Sequence, residues 1–165
     1  MSLADLNPIP VSAVEVGARA LVAMAAGALI GVERQWHHRA AGVRTHALLA
    51  LGAAGFALIA HLLAVRDPQM NPAQITAGVV SGIGFLCGGV ILHRGGSVQG
   101  LTSAASLWTT AGVGVAIGGG FYPLASVLLA ADPDRPVSAA LGGGPVRAKH
   151  RTAGTVLPVG GAHGG

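Results

Sequence analysis

The sequence predicts an all-α protein that crosses a membrane as a polytopic transmembrane helical bundle, with four full-length helices and a short or truncated fifth. Only 10% of its 165 residues are charged and 52% are hydrophobic, whereas soluble domains carry roughly a quarter charged residues. Between Asp67 and Asp132 the only formally charged residue is Arg94. Polar breaks divide the apolar sequence into segments close to the length of about 20 residues that a membrane span requires.

The apolar segments define the helices and the domain boundary. Four spans are predicted at about 11–32, 45–65, 73–92 and 101–117. A fifth apolar run, 121–131, ends at Asp132 and Pro133 after roughly half a crossing. Residues 132–165 are rich in Gly, Pro and Arg without an apolar period, which is typical of disorder. The sequence therefore predicts a transmembrane domain at 1–131 and a disordered tail at 132–165.

The arginines predict the orientation of the spans. The loop at 33–44 holds three arginines against one glutamate, and the loop after the third span holds Arg94. In the loop between them, Arg66 is followed directly by Asp67. Because positive loops stay in the cytoplasm, the N-terminus is expected outside.

The net charge of +4 does not indicate a nucleic-acid partner, because the positive residues lie in short loops beside apolar runs. The sequence contains no GxxxxGK, no nucleophile beside a base and no paired carboxylates, so neither catalysis nor a bound cofactor is expected. The histidines do not predict a metal site either. His37 and His38 are adjacent and cannot share a helical face, and His46 and His61 lie near opposite ends of the second span.

One candidate site is a polar cluster at the cytoplasmic boundary. Glu33 and Arg34 end the first predicted span and Arg44 begins the second, so a carboxylate and a guanidinium can pair at the same membrane surface. The alternative is that these charges only determine topology and anchor the helices at the interface. The hydroxyl of Thr45 is expected to cap the second helix.

Glycines predict close helix packing. Pairs spaced by four residues occur at Gly78 and Gly82, Gly84 and Gly88, Gly27 and Gly31, and Gly114 and Gly118. Small residues at this spacing let helix backbones approach in lipid. Chance is the alternative, because the sequence contains 27 glycines.

The third and fourth spans also carry hydroxyl groups, at Ser81, Thr102, Ser103, Ser106, Thr109 and Thr110. They are expected either to hold helices together or to form a polar seam for an ion or a partner helix. Trp108 lies near mid-span, which favours packing against protein. From residue 17 to 131 the only acids are Glu33 and Asp67, at span boundaries. This argues against direct magnesium transport, since Mg²⁺ prefers carboxylate ligands.

Three stretches resemble the N-terminal membrane domain of the MgtC/SapB family. They are GALIGVERQWHHRAAGVRTHALLALG at 27–52, VVSGIGFLCGGVILHRGGSVQGLTSAASLW at 79–108 and AGVGVAIGGGFYPL at 111–124. The resemblance places the following residues on family motif positions: Glu33, Arg34, Arg44, Thr45, Gly82, Gly84, Phe85, Gly89, Gly100, Leu101, Thr102, Ala104, Ala105 and Trp108. Two departures are Cys87, which stands where relatives have glycine, and the absence of a recognisable full fifth helix with its following soluble domain.

The resemblance implies a multi-pass protein of the bacterial inner membrane with five membrane helices. Better-known relatives are linked to growth in low magnesium and to survival inside macrophages, and some are said to restrain the F-type ATP synthase. We therefore expect a non-enzymatic regulator that contacts another membrane protein, with the F-type ATP synthase as the partner that the resemblance suggests, and self-association into a homo-oligomer left open. The alternatives are a transporter or channel for magnesium or another ion, and a degenerate remnant without function.

Overall fold

The computed structural model of the chain describes residues 11–94 and 97–131. Within these residues the helices are α1 (Ala13–Trp36), α2 (Val43–Arg66), α3 (Pro72–Val90), α4 (Leu101–Gly118) and α5 (Tyr122–Ala130). A two-stranded antiparallel hairpin, β1 (Leu92–Arg94) and β2 (Ser97–Gln99), joins α3 to α4 where the sequence predicts only a polar turn. The predicted helical bundle is confirmed. The predicted tail at 132–165 lies outside the described residues, so the domain division stays a prediction.

Four helices of the described part, α1 to α4, are long and apolar enough to cross a membrane. The nine residues of α5 rise about 14 Å, less than half of a hydrocarbon core. The described part of α5 therefore agrees with a short fifth helix.

Local capping explains where α1 and α3 begin. The Ser12 hydroxyl accepts a hydrogen bond from the Glu15 N–H at 3.1 Å. Asn71 does the same for the Ala73 N–H at 3.0 Å. The side chains thus satisfy N–H groups that the first helical turn leaves open. The expectation that Thr45 caps α2 is wrong: α2 begins two residues earlier, after Gly42, and has no side-chain cap.

The C-terminus of α1 lies four residues beyond its predicted end. The Arg39 N–H bonds the Arg34 carbonyl at 3.0 Å, and the His38 N–H bonds the Gln35 carbonyl at 3.1 Å. His38 has a φ of 54°. These two bonds, together with the left-handed conformation of His38, form a Schellman motif. Half of the predicted loop at 33–44 is consequently part of the helix or its cap.

Glycines bring α1 and α4 against the backbone of α2. A Cβ at Gly27 would lie 2.7 Å from the Ala50 Cβ, and one at Gly31 would lie 2.5 Å from the Val43 Cα. Helix α4 contacts the same helix, and a Cβ at Gly114 would lie 2.9 Å from the Ala53 Cβ. Gly118 is equally close to the backbone of Ala54. These positions have no room for a methyl group, so α1, α2 and α4 form a tightly packed trio.

Helix α3 contacts this trio loosely. Of the described residues, eleven in α4 are buried but only Ile83 is buried in α3. An added Cβ would have no neighbour within 4 Å at any of the four predicted packing glycines of this helix, Gly78, Gly82, Gly84 and Gly88. They therefore make no close helix contact within the described chain. The helix packing predicted for them is thus not seen among the described residues, and it stays a prediction.

Candidate functional site

A charged side chain is completely enclosed between α1 and α4. Arg34 has no exposed surface, and its Nη2 donates a hydrogen bond to the Ser103 Oγ at 3.3 Å. Ser103 lies in the first turn of α4, so this bond also shows that the C-terminus of α1 and the N-terminus of α4 lie at the same end of the bundle. A buried guanidinium is costly unless its N–H groups find acceptors. Arg34 therefore ties the packing of α1 to a polar group on α4.

His46 makes a second buried polar contact, between α2 and α4. Its Nδ1 lies 3.0 Å from the Gly42 carbonyl oxygen and its Nε2 lies 3.2 Å from the Ser106 Oγ. Because a carbonyl only accepts, Nδ1 carries a hydrogen and donates it to Gly42. In the neutral imidazole Nε2 then accepts from the Ser106 hydroxyl. The ring is thus held by its own helix at one nitrogen and by α4 at the other.

The hydroxyl partners form one face of α4. Ser103, Ser106 and Thr110 are buried and follow each other at intervals of three and four residues, which places them on the same side of a helix. The Thr110 Oγ1 donates back to the Ser106 carbonyl at 2.8 Å. We call Arg34, His46, Ser103, Ser106 and Thr110 the buried polar cluster. It joins α4 to both of its neighbours in the trio.

The buried polar cluster overlaps only in part with the predicted boundary cluster. Arg34 lies inside it and Glu33 is half-buried at the same end, whereas Arg44 and Thr45 are exposed. His46 was considered in the sequence only as a metal ligand and rejected, so its place in this cluster was not predicted. Both of its ring nitrogens are hydrogen-bonded. The signal in the sequence was the set of hydroxyls at 103, 106 and 110, which share one face of another span.

The remaining predicted positions lie outside the cluster. The backbone of Arg94 belongs to β1 and pairs with Ser97, at the end of the bundle where Arg34 lies. Thr102 is exposed at the start of α4. Trp108 is 54% exposed, so the expectation that it packs against protein is not met within the chain. It instead lines a groove of about 350 Å³ between α3 and α4.

A different arginine joins α1 and α4 at the opposite end. Arg19 pairs with Glu15 one turn earlier, as its spacing indicates, and its Nη1 donates to the Gly118 carbonyl at 3.0 Å. A cation at a helix C-terminus complements the helix dipole. Gly120, with a φ of 81°, lets the chain turn beside this guanidinium. Helices α1 and α4 are thus joined by an arginine hydrogen bond at each end, from Arg34 at one end and from Arg19 at the other.

The chemistry of the buried polar cluster is that of hydrogen bonds between helices rather than of magnesium coordination. It contains a guanidinium, an imidazole and hydroxyls, whereas Mg²⁺ prefers carboxylates and retained waters. In the part of the chain that the structure describes, no three His, Cys, Asp or Glu side chains come together as a metal site. The arrangement holds three helices together and presents polar groups to their interface.

Comparison with known proteins places this architecture in a family. The profile of the MgtC family matches residues 20–131. Protein MgtC of Salmonella typhimurium (strain LT2) is 53% identical over 102 residues, which cover 62% of this chain and 42% of that protein. Protein MgtC of Brucella abortus (strain 2308) is 46% identical over 101 residues, 61% of this chain and 41% of that protein.

A cyanobacterial protein matches over the same length. The uncharacterized protein slr0014 of Synechocystis is 47% identical over 104 residues, 63% of this chain and 43% of that protein. The chain thus spans less than half the length of these curated relatives. No solved structure gives a significant match. With the family profile covering most of the described helices, this membrane protein belongs to the MgtC family.

Proposed function

We propose that this chain is a non-enzymatic regulator of the bacterial inner membrane, linked to magnesium homeostasis or stress adaptation, which acts by helix contact with another membrane protein. The observation that carries the proposal is the outward surface of α3. There Gly84 and Gly88 are exposed, and in the described chain each has open space where a Cβ would stand. Gly78 and Gly82 are also exposed, but they line the groove between α2 and α3. The N-terminus is proposed to lie outside, with the α1–α2 loop in the cytoplasm.

The two sets of glycines support this reading by their contrast. Gly27, Gly31, Gly114 and Gly118 have the same spacing, and all of them touch the backbone of α2. Helix association in membranes depends on such small residues because lipid supplies no hydrophobic drive between helices. Gly84 and Gly88 of α3 offer the same kind of surface without a neighbour in the described part of the chain. A transmembrane helix of a second protein is the occupant that this surface suits.

The resemblance to relatives said to restrain the F-type ATP synthase makes that enzyme the first partner to test. We propose photo-crosslinking in native membranes from a probe at Ser81, which lies on the exposed side of α3. The experiment compares the chain with a Gly84→Ile and a Gly88→Ile variant, because both glycines share the exposed face of α3 with Ser81. An isoleucine on this surface is expected to remove the partner crosslink while the protein stays folded.

The matched control is Gly17→Ile on α1. Gly17 is also exposed and has no neighbour within 4 Å of its Cβ position, so the substitution adds the same side chain outside α3. It is expected to leave the crosslink intact. Crosslinks that join only copies of this chain, or that survive both α3 substitutions, would contradict the proposed contact with a different membrane protein.

The alternative function is transport of magnesium or another ion. The feature that favours it is the polar face of α4, where Ser103, Ser106 and Thr110 follow one another inside the bundle. If this face conducts, liposomes containing only this protein will show ion flux above background, and Ser106→Ala will reduce it. Background flux with folded protein would exclude this alternative.

A further inference from the structure

We propose that the exposed turn between α1 and α2 binds the headgroup of an anionic phospholipid. Five residues form this basic rim, and all of them are exposed: Trp36, His37, His38, Arg39 and Arg44. The proposal is independent of the partner contact on α3, because it concerns a different surface and a different class of ligand.

The charge of the described residues is strongly asymmetric between the two ends of the bundle. The end that carries the basic rim holds four arginines, counting Arg34 and Arg94, against the single carboxylate of Glu33. The other end balances Arg19 and Arg66 with two carboxylates. Basic residues beside a span attract anionic lipids at short range. A negatively charged headgroup is therefore attracted to one end of the described bundle only.

The backbone holds the two accessible arginines in defined places. Arg39 follows directly on the left-handed residue of the Schellman motif, and its N–H is bonded to the Arg34 carbonyl at 3.0 Å. Arg44 lies in the first turn of α2. The guanidinium of Arg34 is enclosed and unavailable to a headgroup, whereas those of Arg39 and Arg44 are exposed. A phosphate can accept paired N–H groups from such side chains.

An apolar recess beside the rim favours a lipid over a soluble phosphate. Val32, Gln35, Trp36 and Val43 line a shallow cavity of about 290 Å³ where α1 and α2 meet. Trp36 is 81% exposed, and Val32 is 47% exposed. Tryptophan prefers the level of the headgroups, with its ring on the glycerol region and its N–H in water. The recess thus suits the glycerol and upper acyl segment of a lipid whose phosphate reaches the arginines.

The chain contains its own reporter for this site. Its two tryptophans are Trp36 and Trp108, so Trp108→Phe leaves Trp36 as the only tryptophan. The full chain with this substitution is reconstituted in phosphatidylcholine vesicles with rising fractions of brominated phosphatidylglycerol or brominated phosphatidylcholine. Bromine quenches tryptophan on contact, so the two titrations compare the lipids at the rim. We expect the anionic lipid to quench Trp36 at the lower mole fraction.

Substitutions then show which residues cause the preference for phosphatidylglycerol. Arg39→Gln and Arg44→Gln are each expected to lower the preference for phosphatidylglycerol about fivefold. Arg66→Gln removes an exposed arginine at the opposite end and is expected to change nothing. Arg39→Lys and Arg44→Lys retain the charge and are expected to retain most of the preference. They therefore distinguish a loss of preference caused by the missing charge from one caused by misfolding.

Three results would overturn the proposal. The first is equal quenching by both brominated lipids in the protein that carries only Trp108→Phe. The second is a preference that neither glutamine substitution changes. The third is complete competition by soluble glycerol phosphate, which would assign the rim to a free phosphate compound instead of a membrane lipid.

Discussion

Replacing Gly114 by alanine tests whether α4 lies as close to α2 as the structure has it. The new methyl group would stand 2.9 Å from the Ala53 Cβ and 3.0 Å from the Ala50 carbonyl carbon. Neither atom belongs to a flexible side chain, so α2 and α4 must separate. Overpacking of this kind typically lowers the free energy of unfolding by about 1–3 kcal/mol. The higher helix propensity of alanine than of glycine raises it by about 1 kcal/mol.

Gly82→Ala provides the matched control. It makes the same chemical change in the interior of α3, but the added methyl group meets no atom within 4 Å. Because both variants share the gain in helix propensity, their difference isolates the crowding at Gly114. We expect Gly114→Ala to be the less stable of the two by about 1–3 kcal/mol.

The assay is reversible unfolding of the purified protein in mixed micelles with a rising fraction of denaturing detergent, followed by circular dichroism. If the two variants have equal midpoints and neither is less stable than the unsubstituted protein, Gly114 does not contact α2 closely and the packing argument fails. Equal destabilisation of both variants would instead mean that Gly82 is covered in the micelle, as self-association through α3 would require.

The remaining predictions concern the buried polar cluster and two left-handed residues, and the same unfolding assay measures them all. Ser103→Ala is expected to cost about 1.5–3 kcal/mol, because it removes an acceptor from a charged donor, and Ser106→Ala about 0.6 kcal/mol, a typical value for neutral bonds between membrane helices. The reverse order would contradict the assigned role of Arg34. His38→Gly is expected to stabilise the protein by up to about 1 kcal/mol, since His38 has a φ of 54°; a loss of stability would mean that the imidazole makes an important contact. Gly120→Ala is expected to destabilise by about 1–2 kcal/mol, because the φ of 81° strains a residue with a Cβ, and an unchanged midpoint would place this turn in another conformation.

The lengths of the helices could be predicted from the sequence because hydrocarbon requires long uninterrupted apolar runs. The end of α1 was misplaced for the same reason. Glu33 and Arg34 were taken to mark the membrane surface, but Arg34 is buried inside the trio with a partner on α4. Composition shows that a charge is present, but the partner that makes its burial tolerable becomes visible only when helices are brought together.

The rotation of each helix could not be predicted, and the candidate site depends on it. In a membrane the side of a helix that faces lipid and the side that faces protein are both apolar, so hydrophobic periodicity gives little indication of direction. Gly82 and Gly114 therefore look equivalent in the sequence, although one is open and the other touches α2. For the same reason the side of α4 on which Trp108 lies could not be predicted, and this residue is 54% exposed within the described chain.

The tight packing of α1, α2 and α4 and the looser packing of α3 are compatible with the proposed contact on α3. The trio of α1, α2 and α4 contains the buried polar cluster and nearly all the buried residues of the described chain. It also contains Arg19 and Arg34, which join α1 to α4. Helix α3 adds only Ile83 to the buried set, and the Cys87 thiol donates to the Ala104 carbonyl at 3.2 Å. Substitutions on its outer surface are thus free of the packing costs expected at Gly114. We therefore expect that the proposed partner can bind the outer surface of α3 without changing the packing of the other three helices.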